Sequence, residues 1–236
     1  MKINPQHTFG WNADVWNRAF IGSNEVNKIL ARKNLKVLEI GAGIHSQVAY
    51  VFDATESDIT IGHYDKKNSC NLKKIIDKKI NDLDLVSQYK VQFIDAFNLN
   101  EKYDVIILKS VLGGIFKGND FAKAEEYCQK IVKENLYKNG ALITIDNGKS
   151  VLDFFIKNFG ARSRNWHLTT LDELLTADEK IGFGLLSTIS LSTRLGIIGF
   201  KIEKFLYYID LILHPLFSSK PTVICSVFTK KHIQCN

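Results

Sequence analysis

The sequence has little with which to build a metal centre or a disulfide framework. Its four cysteines, Cys70, Cys128, Cys225 and Cys235, lie far apart in 236 residues. They form neither a C-x-x-C pair nor a zinc ligand set, so no metal is expected and the reading is a reduced, cytoplasmic protein. Secretion is not expected: the N-terminal stretch MKINPQHTFGWNADVW has polar residues where a signal peptide needs an apolar run. No unbroken apolar stretch is long enough to span a bilayer, residues 185–217 coming nearest. There is no internal repeat, linker or low-complexity tract. Nor is there a nucleic-acid track. The 31 basic residues outnumber 25 acidic ones for a formal net charge of +6, but clusters such as KKIIDKK lack interleaved aromatics and read as solvated faces. No nucleic-acid partner is expected.

What remains is an ordinary globular composition, 45% apolar and 24% charged, enough for one α/β domain with a sizeable core. Residues 12–31 place apolar side chains at helical spacing and predict one or two leading helices. Short apolar, β-branched runs follow, at LKVLEI (35–40), DITIGHYD (58–65), KVQFIDAFNL (90–99), YDVIILKSVLGGI (103–115) and NGALITIDNG (139–148). Helical segments alternate with them: 45–54 after the first, 71–83 after the second, 120–136 after the fourth. Buried strands alternating with helices call for a mostly parallel sheet covered on both faces. After residue 150 come a short helix and a further helix over LDELL, started by Thr169 or Thr170. An apolar segment at 181–217 and a closing strand in PTVICSVFTKK complete the chain.

In an open parallel sheet the ligand lies outside the carboxyl ends of the strands. The first predicted strand ends in Glu39, Gly41, Ala42 and Gly43, the second in Asp65, the third in Asp95, Ala96 and Phe97, the fourth in Lys109 and Ser110. Glycines at 41 and 43 let the backbone approach a ligand closely, and a following helix N-terminus offers free N–H groups. Asp65 stands beyond them at about the 20-residue distance from which an acidic side chain meets ribose hydroxyls. Taken singly, Asp65 and Asp95 read equally well as solvated loop carboxylates, aspartate being common at strand ends. Their joint placement in the expected order points to a nucleoside-containing ligand. Lys109 stands in an otherwise apolar strand, where a lysine without a partner is costly, and it reads as an active-site residue rather than a snorkelling surface lysine.

These residues carry a resemblance. VLEIGAG, HYDKKN, FIDAFNL, YDVIILKSVL and LYKNGALITID resemble the successive motifs of class I S-adenosylmethionine-dependent methyltransferases. Within that family they look like a small, uncharacterised subgroup with a KSVLGG fourth strand, some members of which accompany glycan or secondary-metabolite biosynthesis. The resemblance implies an α/β fold: a Rossmann-like, doubly wound, seven-stranded, mostly parallel sheet with one antiparallel strand and helices on both faces. It implies a helical lid in residues 1–34 and the methyltransferase domain in 35–236, with 150–220 forming an apolar, substrate-side region. It further implies S-adenosyl-L-methionine as cofactor. Glu39 would steady the glycine loop, Gly41, Ala42 and Gly43 would pass the methionine moiety, and Asp65 would hold the ribose. Asp95, with Ala96 or Phe97, would meet the adenine, while Lys109 and Ser110 would border the methionine carboxylate or the transferring methyl. Two departures stand out: His45 replaces a third glycine of the turn, and KNG replaces the usual PGG before the fifth strand.

An NAD-dependent oxidoreductase is the competing enzyme, but Ser46 stands where G-x-G-x-x-G needs its last glycine. The other alternative is a non-catalytic or membrane-associated binding protein on the same fold. The acceptor is expected to be a small molecule methylated on oxygen or nitrogen; no NPPY-type amine signature occurs. Arg162, Arg164, Trp166 and His167 fall where the substrate pocket is expected, and His167 is the candidate general base, although a lone histidine is more often a surface or satisfied residue. Trp11 and Trp16 are core aromatics or part of the lid. Residues 181–217 read as a core or dimer-forming helix, or as a hydrophobic-substrate entrance or membrane-surface face.

Overall fold

The computed structural model describes residues 4–63, 69–150, 165–186, 191–216 and 218–230. Five strands lie side by side in parallel, β1 (Lys36–Ile40), β2 (Asp58–His63), β3 (Gln88–Phe93), β4 (Tyr103–Lys109) and β5 (Leu136–Asn147); all but the edge strand β3 have buried positions on both faces. With β6 (Glu179–Phe183) and β7 (Val223–Thr229) they form one sheet in the order β3-β2-β1-β4-β5-β7-β6. Strand β7 runs antiparallel to both β5 and β6, so it is the single reversed strand. This is the sheet expected from the sequence.

Alternation along each strand divides the core in two. Val37, Ile107, Ile143 and Ile145 face one layer, where α1 (Pro5–Phe9), α2 (Ala13–Ile21), α3 (Asn24–Leu30) and α4 (Ser69–Asp82) pack. Phe9, Trp16, Phe20 and Phe52 are wholly buried in it. Leu38, Ile106, Leu108 and Leu142 face the other layer, closed by α5 (Leu112–Ile115) and α6 (Ala122–Asn135) through Leu112, Cys128 and Ile131. The leading helices are bound into the sheet rather than appended to it. Ser23 Oγ accepts from Val26 N–H at 3.1 Å to cap α3. The same hydroxyl donates to Glu179 of β6 at 2.5 Å, and Glu179 also accepts from the N–H groups of Asn24 and Glu25.

Several local expectations are corrected. The helix predicted over 45–54 is a 3₁₀ helix, Val48–Thr55: β-branched Val48 and Val51 disfavour an α turn, and left-handed Glu56 (φ 54°) stops it. The fourth strand ends at Lys109 rather than 115, because Ser110 (φ 56°) turns the chain and α5 begins. The third covers Gln88–Phe93 and leaves Asp95 in the following loop. No helix forms over LDELL; Glu173 accepts from Thr170 N–H at 2.7 Å in a turn, and Leu174 is left-handed (φ 53°). The segment read as apolar and helical from 181 begins inside β6, and its helix is α7 (Ser192–Leu213), kinked at Gly196. The short helix expected after residue 150 lies outside the described residues.

Candidate functional site

The turn after β1 is built to leave room. Gly41 is left-handed (φ +80°), and a Cβ there would meet Val111 Cγ2 at 2.6 Å, so only glycine serves. Two residues on, a Cβ at Gly43 would touch nothing within 4 Å. The loop is nonetheless held: Ala42 N–H donates to Gly62 O at 2.9 Å, the Gln47 amide donates to Gly43 O, and the Lys79 ammonium donates to Ile44 O. His45, the departure from the glycine pattern, lies with its backbone oxygen against Gly10 at the end of α1.

Glu39 is 1% exposed, and its carboxylate accepts from Ala49 N–H at 2.9 Å. Burial pushes its pKa up to about 7, opposed by the N–H groups of Ala49 and Val48 and by Lys109. The N–H groups that the sequence offered to a ligand are thus spent on Glu39, which clamps the start of the 3₁₀ helix.

Lys109 closes β4 beside Ile145 of β5. Its Nζ lies 3.4 Å from Ser46 Oγ and 4.4 Å over the Trp16 ring. Burial lowers its pKa to about 8, against the pull of Glu39 and Asp146. Among the described residues, no carboxylate forms an ion pair with it. Asp146, one residue past Ile145, is buried. Burial raises its pKa to about 7, against the nearby N–H of Gly113, Lys109 and the N–H of Leu112. Two buried acids, Glu39 and Asp146, and the half-buried Lys109 therefore stand at the carboxyl ends of adjacent strands β1, β4 and β5. Ser110 N–H donates to Ile145 O at 2.8 Å, and its hydroxyl accepts from Asn147 at 3.4 Å.

At the end of β3, Asp95 is exposed and accepts from Phe97 N–H at 3.0 Å and from the Asn98 amide at 2.7 Å. The Asn98 bond, with that of Phe97, holds its pKa below the usual range. Phe97 is 52% exposed and leans on Phe116 and Tyr127, whose hydroxyl donates to Ala96 O at 2.8 Å. An aromatic surface thus borders the Asp95 carboxylate. Asp65 lies outside the described residues, as do Arg162 and Arg164; the strand leading to Asp65 ends at His63.

His167 is placed elsewhere. Its ring stacks on Phe121 at 3.8 Å, its Nε2 lies 2.8 Å from Glu173 Oε1, and its N–H donates to Gly113 O at 2.9 Å. Those contacts seat it on the α5–α6 side, and no contact among the described residues joins it to Lys109 or Glu39. Trp16 is fully buried, edge-on to Trp11, and covers Lys109. Sequence reasoning missed Asp146, Ser46 and Glu173. For Asp146 the signal was available, a lone acid ending the apolar run ALITI; for the others there was none.

No family model matches the sequence, and no curated protein matches it. Solved structures do. A protein assigned as a sarcosine dimethylglycine methyltransferase from Galdieria sulphuraria matches with a TM-score of 0.57 at 14% identity, over 91% of this chain and 84% of its own. Coclaurine N-methyltransferase bound to N-methylheliamine and SAH gives 0.51 at 14%, over 86% and 70%. Phosphoethanolamine N-methyltransferase 2 from Haemonchus contortus, with phosphomonomethylethanolamine and S-adenosylhomocysteine, gives 0.54 at 10%, over 94% of this chain and 52% of its own. The chain has the class I methyltransferase fold. In that fold Glu39, Gly43, Asp95, Lys109 and Asp146 fall along one edge of the sheet, where the strands point their carboxyl ends. Among the described residues no helix is long and apolar enough to cross a membrane.

Proposed function

We propose that the protein is an S-adenosyl-L-methionine-dependent methyltransferase acting on an oxygen or nitrogen of a small-molecule acceptor. The observation that carries this is Lys109: a shielded cation with no ion-pair partner among the described residues, on the strand beside the open face of Gly43. A half-buried, desolvated cation calls for a counter-ion, and an amino-acid carboxylate is the one that S-adenosylmethionine brings. The exposed Asp95 carboxylate and the Phe97 ring suit an adenine, one by accepting from its amino group, the other by packing on its face. These residues fit the group.

When bound, the cofactor supplies an activated methyl on a sulfonium that leaves as a neutral thioether. The chain contributes orientation and exclusion of water. Glu39 holds the glycine loop, Gly41, Ala42 and Gly43 give the methionine end its passage, and Asp65 meets the ribose. Ala96 and Phe97 flank the adenine, and Ser110 supports the end of β4. Residues 1–34 act as the cover, Trp16 shutting water away from Lys109. A hydroxyl acceptor needs a base, and His167 carries the orienting carboxylate of Glu173 that such a base requires. Residues 150–220 then frame the acceptor. The small amines bound to two of the fold neighbours support this class of substrate, and the protein works in the cytoplasm.

The experiment is a calorimetric titration with S-adenosylmethionine, S-adenosylhomocysteine and NAD. Binding heat with the first two and none with NAD is the expected result. Heat with NAD alone would assign an oxidoreductase, and no heat with any of the three would assign a non-catalytic binding protein on this fold.

A further inference from the structure

Helix α7 is amphipathic in the unusual sense. Its two acids point inward: Glu203 and Asp210 share the buried face with Gly199, Glu203 being only 6% exposed. Glu203 accepts from Asn12 N–H at 3.3 Å and Asp210 from Leu186 N–H at 2.8 Å, so both acids anchor the helix to the leading segment and to the end of β6. The opposite face is apolar and open. Ile198, Lys201, Phe205, Tyr208 and Ile212 recur at spacings of three and four and so form a single stripe. Phe205 is 63% exposed and Ile212 is 74% exposed, and Ile197 beside them is 77% exposed. Contiguous apolar exposure of this size marks an interaction surface.

Charge decides the partner. The helix carries two acids and both are buried, whereas Lys201 and Lys204 are exposed along the apolar stripe. An outward face of isoleucine, phenylalanine and tyrosine with lysines and no acid complements an anionic lipid surface: the apolar side chains enter the acyl boundary while the lysine stems reach back to phosphate. A second copy of the same face would oppose lysine to lysine. The part beyond Gly196 spans roughly 25 Å, enough to lie along a bilayer surface. We propose that α7 docks the protein on an anionic membrane, with its axis in the plane of the interface. This goes beyond the methyltransferase reading and does not depend on it, since docking needs neither cofactor nor catalysis.

The test is co-sedimentation of the full chain with vesicles of phosphatidylglycerol and, separately, of phosphatidylcholine. The expected result is partitioning at least about tenfold stronger to the anionic vesicles, weakened by high salt. Two paired variants on the open stripe, Phe205→Ser with Ile212→Ser and Lys201→Glu with Lys204→Glu, should each reduce that partitioning at least about tenfold. Circular dichroism should show both still folded. Should a variant unfold, salt dependence and lipid preference of the natural chain decide the matter alone. No sedimentation with either vesicle overturns the proposal, as does equal binding to both. Light scattering that reports a dimer dissociated by Phe205→Ser and Ile212→Ser, without vesicle binding, gives the face to a second copy and overturns it too.

Discussion

Replacing Lys109 with methionine should make the free protein more stable and its cofactor site worse. The buried ammonium titrates at about 8 instead of 10.5, a difference that corresponds to roughly 3 kcal/mol held against the fold at neutral pH. Methionine keeps the stem and removes that cost. Lost with the charge is the contact over Trp16 at 4.4 Å, about 1 kcal/mol at such a site, and the attraction of Glu39 and Asp146. The net gain is roughly 1–2 kcal/mol, or about 2–8 °C in Tm for a chain of this size. The pH dependence is also determined. Between about 8 and 10.5 the folded chain holds fewer protons on this group than the unfolded chain, so Lys109 makes stability rise with pH across that window. The Lys109→Met chain should lose that rise. Calorimetric titration of S-adenosylhomocysteine should meanwhile show affinity at least about thirtyfold weaker, the removal of one partner of a desolvated charge pair costing roughly 2–5 kcal/mol. A lower Tm together with unchanged affinity would refute the reasoning, since the lysine would then be a structural group with no ligand to meet.

Glu39→Gln should change the acid side of the stability profile. Glu39 titrates near 7 when folded and 4.5 when free, so its contribution is complete below 4.5 and is lost as pH rises through 7. The variant should flatten that decline by up to roughly 3 kcal/mol, measured by urea unfolding at pH 5 and pH 8; an unaltered difference would remove Glu39 as its cause. Asp95→Asn keeps the acceptor for Phe97 N–H and should leave Tm almost unchanged, while S-adenosylhomocysteine binds about tenfold more weakly for one lost charge-assisted bond. Equal affinity would detach Asp95 from the adenine. His167→Ala removes the stack on Phe121 and the bond to Glu173. It should cost roughly 1–2 kcal/mol of stability with cofactor affinity kept within about twofold, and a large loss of affinity would place the ring in the cofactor site.

Where the sequence was legible, it was so because a strand buried on both faces needs a continuous apolar run. LKVLEI, DVIILK and ALITI can hardly be anything else. The acidic and glycine residues at the ends of such runs inherit their position from the strand, which is why the sequence alone placed Glu39, Gly41, Gly43 and Lys109 at the ends of β1 and β4. Misreadings fell where neighbours in space outweigh local preference. EKIGF is too polar to announce a strand and is one because β7 pairs along its length. LDELL has the start of a helix, Glu173 accepting from Thr170 N–H, and lacks the rest, because Glu173 is also drawn to the His167 ring and Leu174 turns left-handed.

The alternation of apolar runs and helical periods thus determined the sheet, its layers and the edge at which chemistry can occur, because side-chain period and burial are properties of the local chain. Only the tertiary structure decided which charges share that edge. Asp146 lies beside Lys109 because β4 and β5 are paired in one register, and Trp16 covers Lys109 because α2 folds back over the sheet. Tertiary packing also decided which way α7 faces. Its composition allowed either side to point outward, and the bonds from Asn12 and Leu186 to Glu203 and Asp210 turned the acids in and the isoleucines out.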